Sequence, residues 1–259
     1  MDFLFTPEAI SSLLTLTFLE IILGIDNIVF ISIVVGKLPE EKRKGATNIG
    51  LLLALMMRIM LLFAISWLIA MQTTLFEVSN SVVHAAVNGQ SLILFAGGLF
   101  LLYKSTKEIH EKIDHAGEKT KNVENKAANT LGKILLQIIL IDAVFSVDSI
   151  LTAVGMTSGI NGAIWIMIIA VVVSILAMML FAHPVTRFVH KHPSLQILAL
   201  SFLILIGFML IAEGAHLSHL EVMGTSVGAI PKGYLYFAIA FSLLVEFLNM
   251  RFRKRKEIS

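Results

Sequence analysis

The feature that most constrains this chain is a succession of apolar runs, each long enough to cross a bilayer. They lie near residues 11–36, 45–71, 90–106, 131–155, 163–182, 195–213 and 233–250. A spanning helix needs roughly 20 predominantly apolar residues to cover about 30 Å of hydrocarbon, so these runs read as seven transmembrane helices. Composition agrees. Hydrophobic residues make up 57% of the 259 positions and charged residues 15%, where a soluble domain carries about 25% charged residues. The mean hydropathy is +0.87. The expected fold class is an all-α polytopic membrane protein with no room for a separate soluble domain.

Charge gives the orientation, because cytoplasmic loops concentrate Lys and Arg. Lys37, Lys42, Arg43 and Lys44 mark the first loop, the lysines from Lys104 to Lys133 the third, Arg187 and Lys191 the fifth, and Arg251 to Lys256 the tail. The second and fourth loops carry none. Of the 20 cationic residues only Lys232, in the sixth loop, and Arg58, inside a span, fall elsewhere. The N-terminus is therefore expected outside and the C-terminus inside, in a multi-pass protein of the inner (cytoplasmic) membrane. Met1 to Glu8 contain no Lys or Arg, and no small-residue cleavage signal follows, so the first span is expected to stay attached.

Several function classes drop out. A net charge of +2, spread over short loops, gives little support to a nucleic-acid partner. With no cysteine, disulfides and thiolate ligands are excluded, and a metal would meet oxygen and nitrogen. No P-loop pattern is present for direct drive by ATP. Neither an enzyme activity nor a prosthetic group is expected.

A duplicated acidic motif organises the chain. Glu20-Ile-Ile-Leu-Gly-Ile-Asp26-Asn27-Ile28 aligns with Asp142-Ala-Val-Phe-Ser-Val-Asp148-Ser149-Ile150 at a constant offset, which also brings Leu53–Met57 onto Ile175–Met179. A weaker correspondence relates Glu108 to Glu213. Two three-helix repeats result, residues 1–106 and 131–216. A polar linker covers 107–130, and residues 217–259 supply an outer loop, the seventh helix and a basic tail. A unit with an odd number of spans inverts its successor. Inverted repeats place a transport site near the midplane where the two meet.

Glu20, Asp26, Asp142 and Asp148 all fall within apolar spans, where an ionised carboxylate costs roughly 2.5–3.5 kcal/mol on insertion scales. Such acids call for a divalent cation, for protons, or for Arg58. The two acids of each pair are six residues apart, about 9 Å of rise and about 120° of rotation on a straight helix, so they do not share a face. Two arrangements satisfy this: a local unwinding at Gly24 and Ser146 that turns both acids onto one ion, or successive stations along a path. Asn27 and Ser149 follow the inner acids and can supply neutral oxygens, or equally serve as interhelical hydrogen-bond residues. Glu213 and His216 are three apart near the outer end of the sixth span and share a face if the helix continues past Gly214. His183, His190 and His192 are read as residues of a Pro-rich cytoplasmic turn. Glu246 is expected to snorkel or to pair with Arg251.

The segments Leu19-Glu20-Ile-Ile-Leu-Gly-Ile-Asp26-Asn27 and Ile141-Asp142-Ala-Val-Phe-Ser-Val-Asp148-Ser149, with Ala212-Glu213-Gly214 before His216, resemble the TerC family of membrane proteins over nearly the whole chain. That family is linked to manganese export and, through its name, to tellurite resistance. The resemblance implies an exporter of Mn²⁺ and a metal path formed by Glu20, Asp26, Asn27, Asp142, Asp148 and Ser149, joined by Glu213 and His216. Proton uptake by the same acids is the expected counter-movement, and secreted metalloenzymes that receive the metal are expected partners beside the lipid bilayer. Two other classes use similar residues. An exporter of amino acids or other cationic solutes would bind the cationic group at the acids. An intramembrane aspartyl protease would use paired aspartates, but neither Asp26 nor Asp148 follows a Gly-x-Gly context.

Overall fold

The computed structural model describes residues 6–80, 82–114 and 127–256. Its chain is mostly helical. The first helix, α1 (Pro7–Val35), starts at Thr6, whose hydroxyl accepts from the Ala9 N–H at 3.3 Å, with Pro7 in the first turn where its missing N–H costs nothing. It ends without a left-handed cap. Instead Arg43 donates to the carbonyls of Leu38 at 2.8 Å and Gly36 at 3.1 Å, satisfying groups that the end of α1 leaves open. The second helix, α2 (Glu40–Phe63), follows Pro39 and stops at Ala64, and a short α3 (Ile65–Ala70) completes the run expected as one span.

After two strands, β1 (Thr74–Ser79) and β2 (Val83–Asn88), comes α4 (Gly89–Asp114). Asn88 and Ser91 cap its start reciprocally. The Ser91 N–H donates to Asn88 Oδ1 at 2.7 Å, and the Asn88 N–H donates to Ser91 Oγ at 3.1 Å. The remaining elements are α5 (Ala127–Thr157), α6 (Ala163–Lys191), α7 (Pro193–Leu217), β3 (Glu221–Val222), β4 (Thr225–Ser226) and α8 (Lys232–Lys256). Gly159 and Gly162, at φ of +82° and +76°, make the tight joint between α5 and α6.

Six helices among the described residues are long and apolar enough to cross a membrane: Pro7–Val35, Glu40–Phe63, Leu131–Thr157, Ala163–Lys191, Pro193–Leu217 and Lys232–Phe252. The expected span at 90–106 lies in α4, which has the length; Gln90, Ser91 and the polar residues from Tyr103 onward dilute its hydropathy. Helix also replaces expected loop at two places. Residues 107–114, assigned to the linker, are the last two turns of α4, while residues 115–126 lie outside the described residues. His183 and His190 stand inside α6, and only His192 separates α6 from α7. Pro193 occupies the first turn of α7, so the Pro-rich joint begins a helix where a loop was expected.

The chain divides into two compact units, Met1–Thr73 with Glu118–Lys191, and Thr74–Gly117 with His192–Ser259. In the first, α1 packs most extensively on α6, and α2 packs on α5 and α6 around Leu51, Ala54, Ile138, Ile141 and Ile175. In the second, α4 runs along α7. A Cβ built on Gly98 would stand 2.6 Å from the Gly207 carbonyl oxygen, and one on Gly214 would stand 3.0 Å from that of Ser91, so glycine sets the spacing of these backbones.

The second unit also contains a four-stranded antiparallel sheet in the order β1-β2-β3-β4, which the sequence reading did not foresee. Val83 pairs with Val222 and His84 with Glu221. A two-residue turn joins β3 to β4, with Met223 and Gly224 both at positive φ, the geometry that suits a tight hairpin.

Candidate metal centre

Seven residues make two full turns of helix, so positions seven apart return to nearly the same face. Glu20 and Asn27 stand in that relation on α1, and Asp142 and Ser149 on α5. All four are buried, at 5%, 6%, 4% and 7% exposure. Ser146, one turn after Asp142, is wholly buried and donates from Oγ to Asp142 Oδ2 at 3.2 Å. Arg58 enters from α2, itself only 2% exposed.

Arg58 organises the cluster. Its Nη2 donates to Asp142 Oδ1 at 2.9 Å, its Nε lies 3.3 Å from both oxygens of that carboxylate, and its Nη1 donates to Glu20 Oε2. One guanidinium thus serves two carboxyl groups on different helices, an arrangement suited to its planar fork of donors. Asn27 Nδ2 donates to Asp142 Oδ1 at 3.1 Å, which turns Asn27 Oδ1 the other way. That oxygen is buried and accepts no hydrogen bond among the described residues. A cavity of about 10 Å³, room for one water molecule, lies between Asn27, Arg58, Asp142 and the apolar side chains of Ile31, Ile141 and Met178.

Of the two arrangements that the spacing allows, the local unwinding is absent. Both α1 and α5 run as continuous helix through Gly24 and Ser146, so backbone positions 20 and 26, and 142 and 148, remain about 120° apart around their helices. Gly24 has a different use: a Cβ there would collide with the thioether of Met178, so its hydrogen lets α6 approach α1. The side chains of Asp26 and Asp148 lie outside the described residues.

Glu213 and His216 belong to the second unit. As α7 continues past Gly214 to Leu217, they do share a face; Glu213 is half-buried and His216 exposed, with no side-chain hydrogen bond or ion pair for either among the described residues. No group of three or more His, Asp or Glu side chains suited to hold a metal occurs among the described residues. The oxygen cluster that does form combines two acids with an amide, a hydroxyl and an arginine. Sequence reasoning named Arg58 as a candidate counter-charge but did not join it to Glu20 and Asp142, nor did it single out Ser146 as a partner; for Ser146 the four-residue step from Asp142 on one helix was the signal. Glu246, expected to snorkel or to pair with Arg251, accepts from Ser194 Oγ at 2.5 Å.

A family model described as "Integral membrane protein TerC family" matches residues 5–257. The chain belongs to the TerC family. This TerC chain is 45% identical over 248 residues to a UPF0053 protein of Haemophilus influenzae, covering 96% of each. It is 43% identical to the UPF0053 inner membrane protein YgdQ of Escherichia coli K12, covering 97% of each chain. The inner membrane protein YoaE of the same strain is 41% identical, but the match covers 98% of this chain and 45% of YoaE, so the TerC chain spans less than half of that longer relative. No solved structure matches. Family and apolar helices together make this an integral, multi-pass membrane protein.

Proposed function

We propose that this TerC protein is a secondary transporter of the inner membrane that exports divalent cations, Mn²⁺ foremost, in exchange for protons. The observation that carries the reading is the buried cluster of Glu20, Asn27, Arg58 and Asp142 inside apolar helices, with Asn27 Oδ1, beside a carboxylate, accepting no hydrogen bond among the described residues. Buried polar groups are nearly always hydrogen-bonded, and an acceptor oxygen left over next to an acid is chemistry for a cation. Carboxylate and amide oxygen suit hard ions such as Mn²⁺, Ca²⁺ and Mg²⁺. Asn27 Oδ1 and the Asp142 carboxylate are the first ligands in this reading, with Asp26 and Asp148 continuing the path. Arg58 is the resident positive charge that holds Glu20 and Asp142 together until a metal draws on the same oxygens.

The packing favours inverted repeats. The relation that carries α1 onto α5 and α2 onto α6 also carries the α1–α6 contact onto α5–α2, and these are the principal helix contacts of the first unit. Seven spans follow if α4 crosses the membrane beside α7. Its glycine contacts, Gly98 to Gly207 and Ser91 to Gly214, and the Lys112–Gln196 hydrogen bond place the two helices antiparallel along their whole length.

The deciding measurement is direct binding to the purified protein, compared across Mn²⁺, Ca²⁺, Zn²⁺ and lysine. Mn²⁺ should bind, with affinity about tenfold or more lower in Asn27→Leu, which loses one ligand oxygen. Cells making Asp26→Ala or Asp148→Ala at normal levels should retain Mn²⁺. Lysine binding without Mn²⁺ binding would transfer the site to cationic organic solutes.

A further inference from the structure

Where α2 begins and α6 ends, the first unit carries a second cavity, an open cleft of about 440 Å³, with a lining opposite in character to the acidic cluster. Arg43 and Lys44 face it from α2, and His183, Arg187, His190 and Lys191 from the last turns of α6; Glu40 is its single acid. We propose that this cavity is a binding site for a phosphate group, carried by an anionic lipid or free in solution. Unlike the transport reading, it does not depend on metal.

Two ordinary explanations of the charge fall short. Cytoplasmic loops are enriched in Lys and Arg, and cations are favoured near a helix C-terminus, which covers Arg187 and Lys191. The dipole rule does not cover Arg43 and Lys44, which sit in the first two turns of α2 where positive charge is disfavoured, and only the loop rule accounts for them. Neither rule explains why cations from two helices converge on one space. Lys44, Arg187 and Lys191 form no ion pair among the described residues.

The walls are held in place without any ligand. Arg43 is anchored by the carbonyls of Gly36 and Leu38, and the Thr47 hydroxyl donates to the Arg43 carbonyl at 2.9 Å. The buried hydroxyls of Ser32 and Thr186, 2.8 Å apart, tie α1 to α6 beneath the cavity. Arg43 therefore acts as scaffold, and the exposed Lys44, Arg187 and Lys191 supply the ligand-seeking charge. Arginine can grip phosphate with two donors while lysine contributes a mobile point charge. The walls also fit the proposed topology, which sets this end of the first unit against the cytoplasmic leaflet, where basic pockets between helices meet anionic headgroups.

The test uses the full chain, purified and stripped of lipid. Retention of phosphatidylglycerol against phosphatidylcholine is measured by native mass spectrometry, and inorganic phosphate is titrated separately. The variant Lys44→Gln/Arg187→Gln/Lys191→Gln changes only exposed side chains, and Lys42→Gln/Lys107→Gln/Lys133→Gln, also exposed, serves as a control for overall charge. The expected result is binding weakened about a hundredfold in the first variant and by no more than severalfold in the control, at roughly fivefold per lost charge. Selective phosphatidylglycerol retention assigns the site to lipid, and saturable phosphate binding assigns it to a soluble anion. The proposal is overturned if the parent protein binds neither, or if both variants lose binding equally.

Discussion

In the first compact unit, α1, α2 and α5 enclose a guanidinium, two carboxyl groups and an amide. In the second, α4 and α7 meet at Gly98, Gly207 and Gly214, where backbone touches backbone. Both solve the problem of joining helices in a medium that supplies no hydrophobic drive between them. At their centres the first uses hydrogen bonds among charged groups and the second dispersion at close range, with the Lys112–Gln196 hydrogen bond at one end of the seam. The difference is one of reversibility. A polar cluster can exchange its partners for an ion or a proton, while a glycine seam has only one good fit. Under the proposed transport function, the unit holding Glu20 and Asp142 is the one expected to change state, and the α4–α7 pair the one expected to stand still.

Arg58 tests this contrast most severely. Arg58→Ala leaves the buried Glu20 and Asp142 without their shared cation, and losing one partner of a buried pair costs about 3–5 kcal/mol. The variant should unfold at much lower temperature or denaturant concentration, with Arg58→Lys intermediate. Stability equal to that of the parent would mean that the cluster is not held by charge. A smaller loss, about 1–3 kcal/mol, is expected for Gly207→Val, whose Cβ would stand 3.0 Å from the Gly98 carbonyl oxygen. Its Mn²⁺ affinity should nonetheless match that of the parent, and a parallel loss of affinity would show that the seam takes part in the site.

The apolar helices were legible because spanning length and hydropathy act locally, residue by residue. The exception is instructive. α4 owes its place to a partner, since its contact with α7 reaches across more than a hundred residues of sequence. The sheet was hidden for the same reason: β3 and β4 are two residues each, too short for any alternation, and β3 is defined by pairing with His84 and Val83 far upstream. At the site, the duplicated acids drew attention to a six-residue spacing. The side chains brought together follow other spacings, seven residues from Glu20 to Asn27 on α1 and four from Asp142 to Ser146 on α5, while the Ser149 hydroxyl donates to the Ser146 carbonyl. Arg58 was conspicuous as the one basic residue well inside a span. That it would bind both outer acids at once depends on where α2 sits against α5, which no local pattern encodes.

The two partners of Arg58 also differ in when the ribosome delivers them. Glu20 precedes it by 38 residues and Asp142 follows it by 84. At about 5–20 residues per second, roughly 4–17 seconds of synthesis separate the arginine from its second acid. Throughout that interval Glu20 is the partner at hand as the nascent α2 carries a positive charge toward the bilayer, where a central arginine costs about 2.5–3.5 kcal/mol. Glu20 is thus available to Arg58 before Asp142 exists, and the finished structure keeps both contacts. In a translation-coupled insertion assay, Glu20→Gln should reduce membrane entry of α2 modestly, whereas Asp142→Asn should leave it unchanged. Equal behaviour of the two variants would remove any role for the order of synthesis.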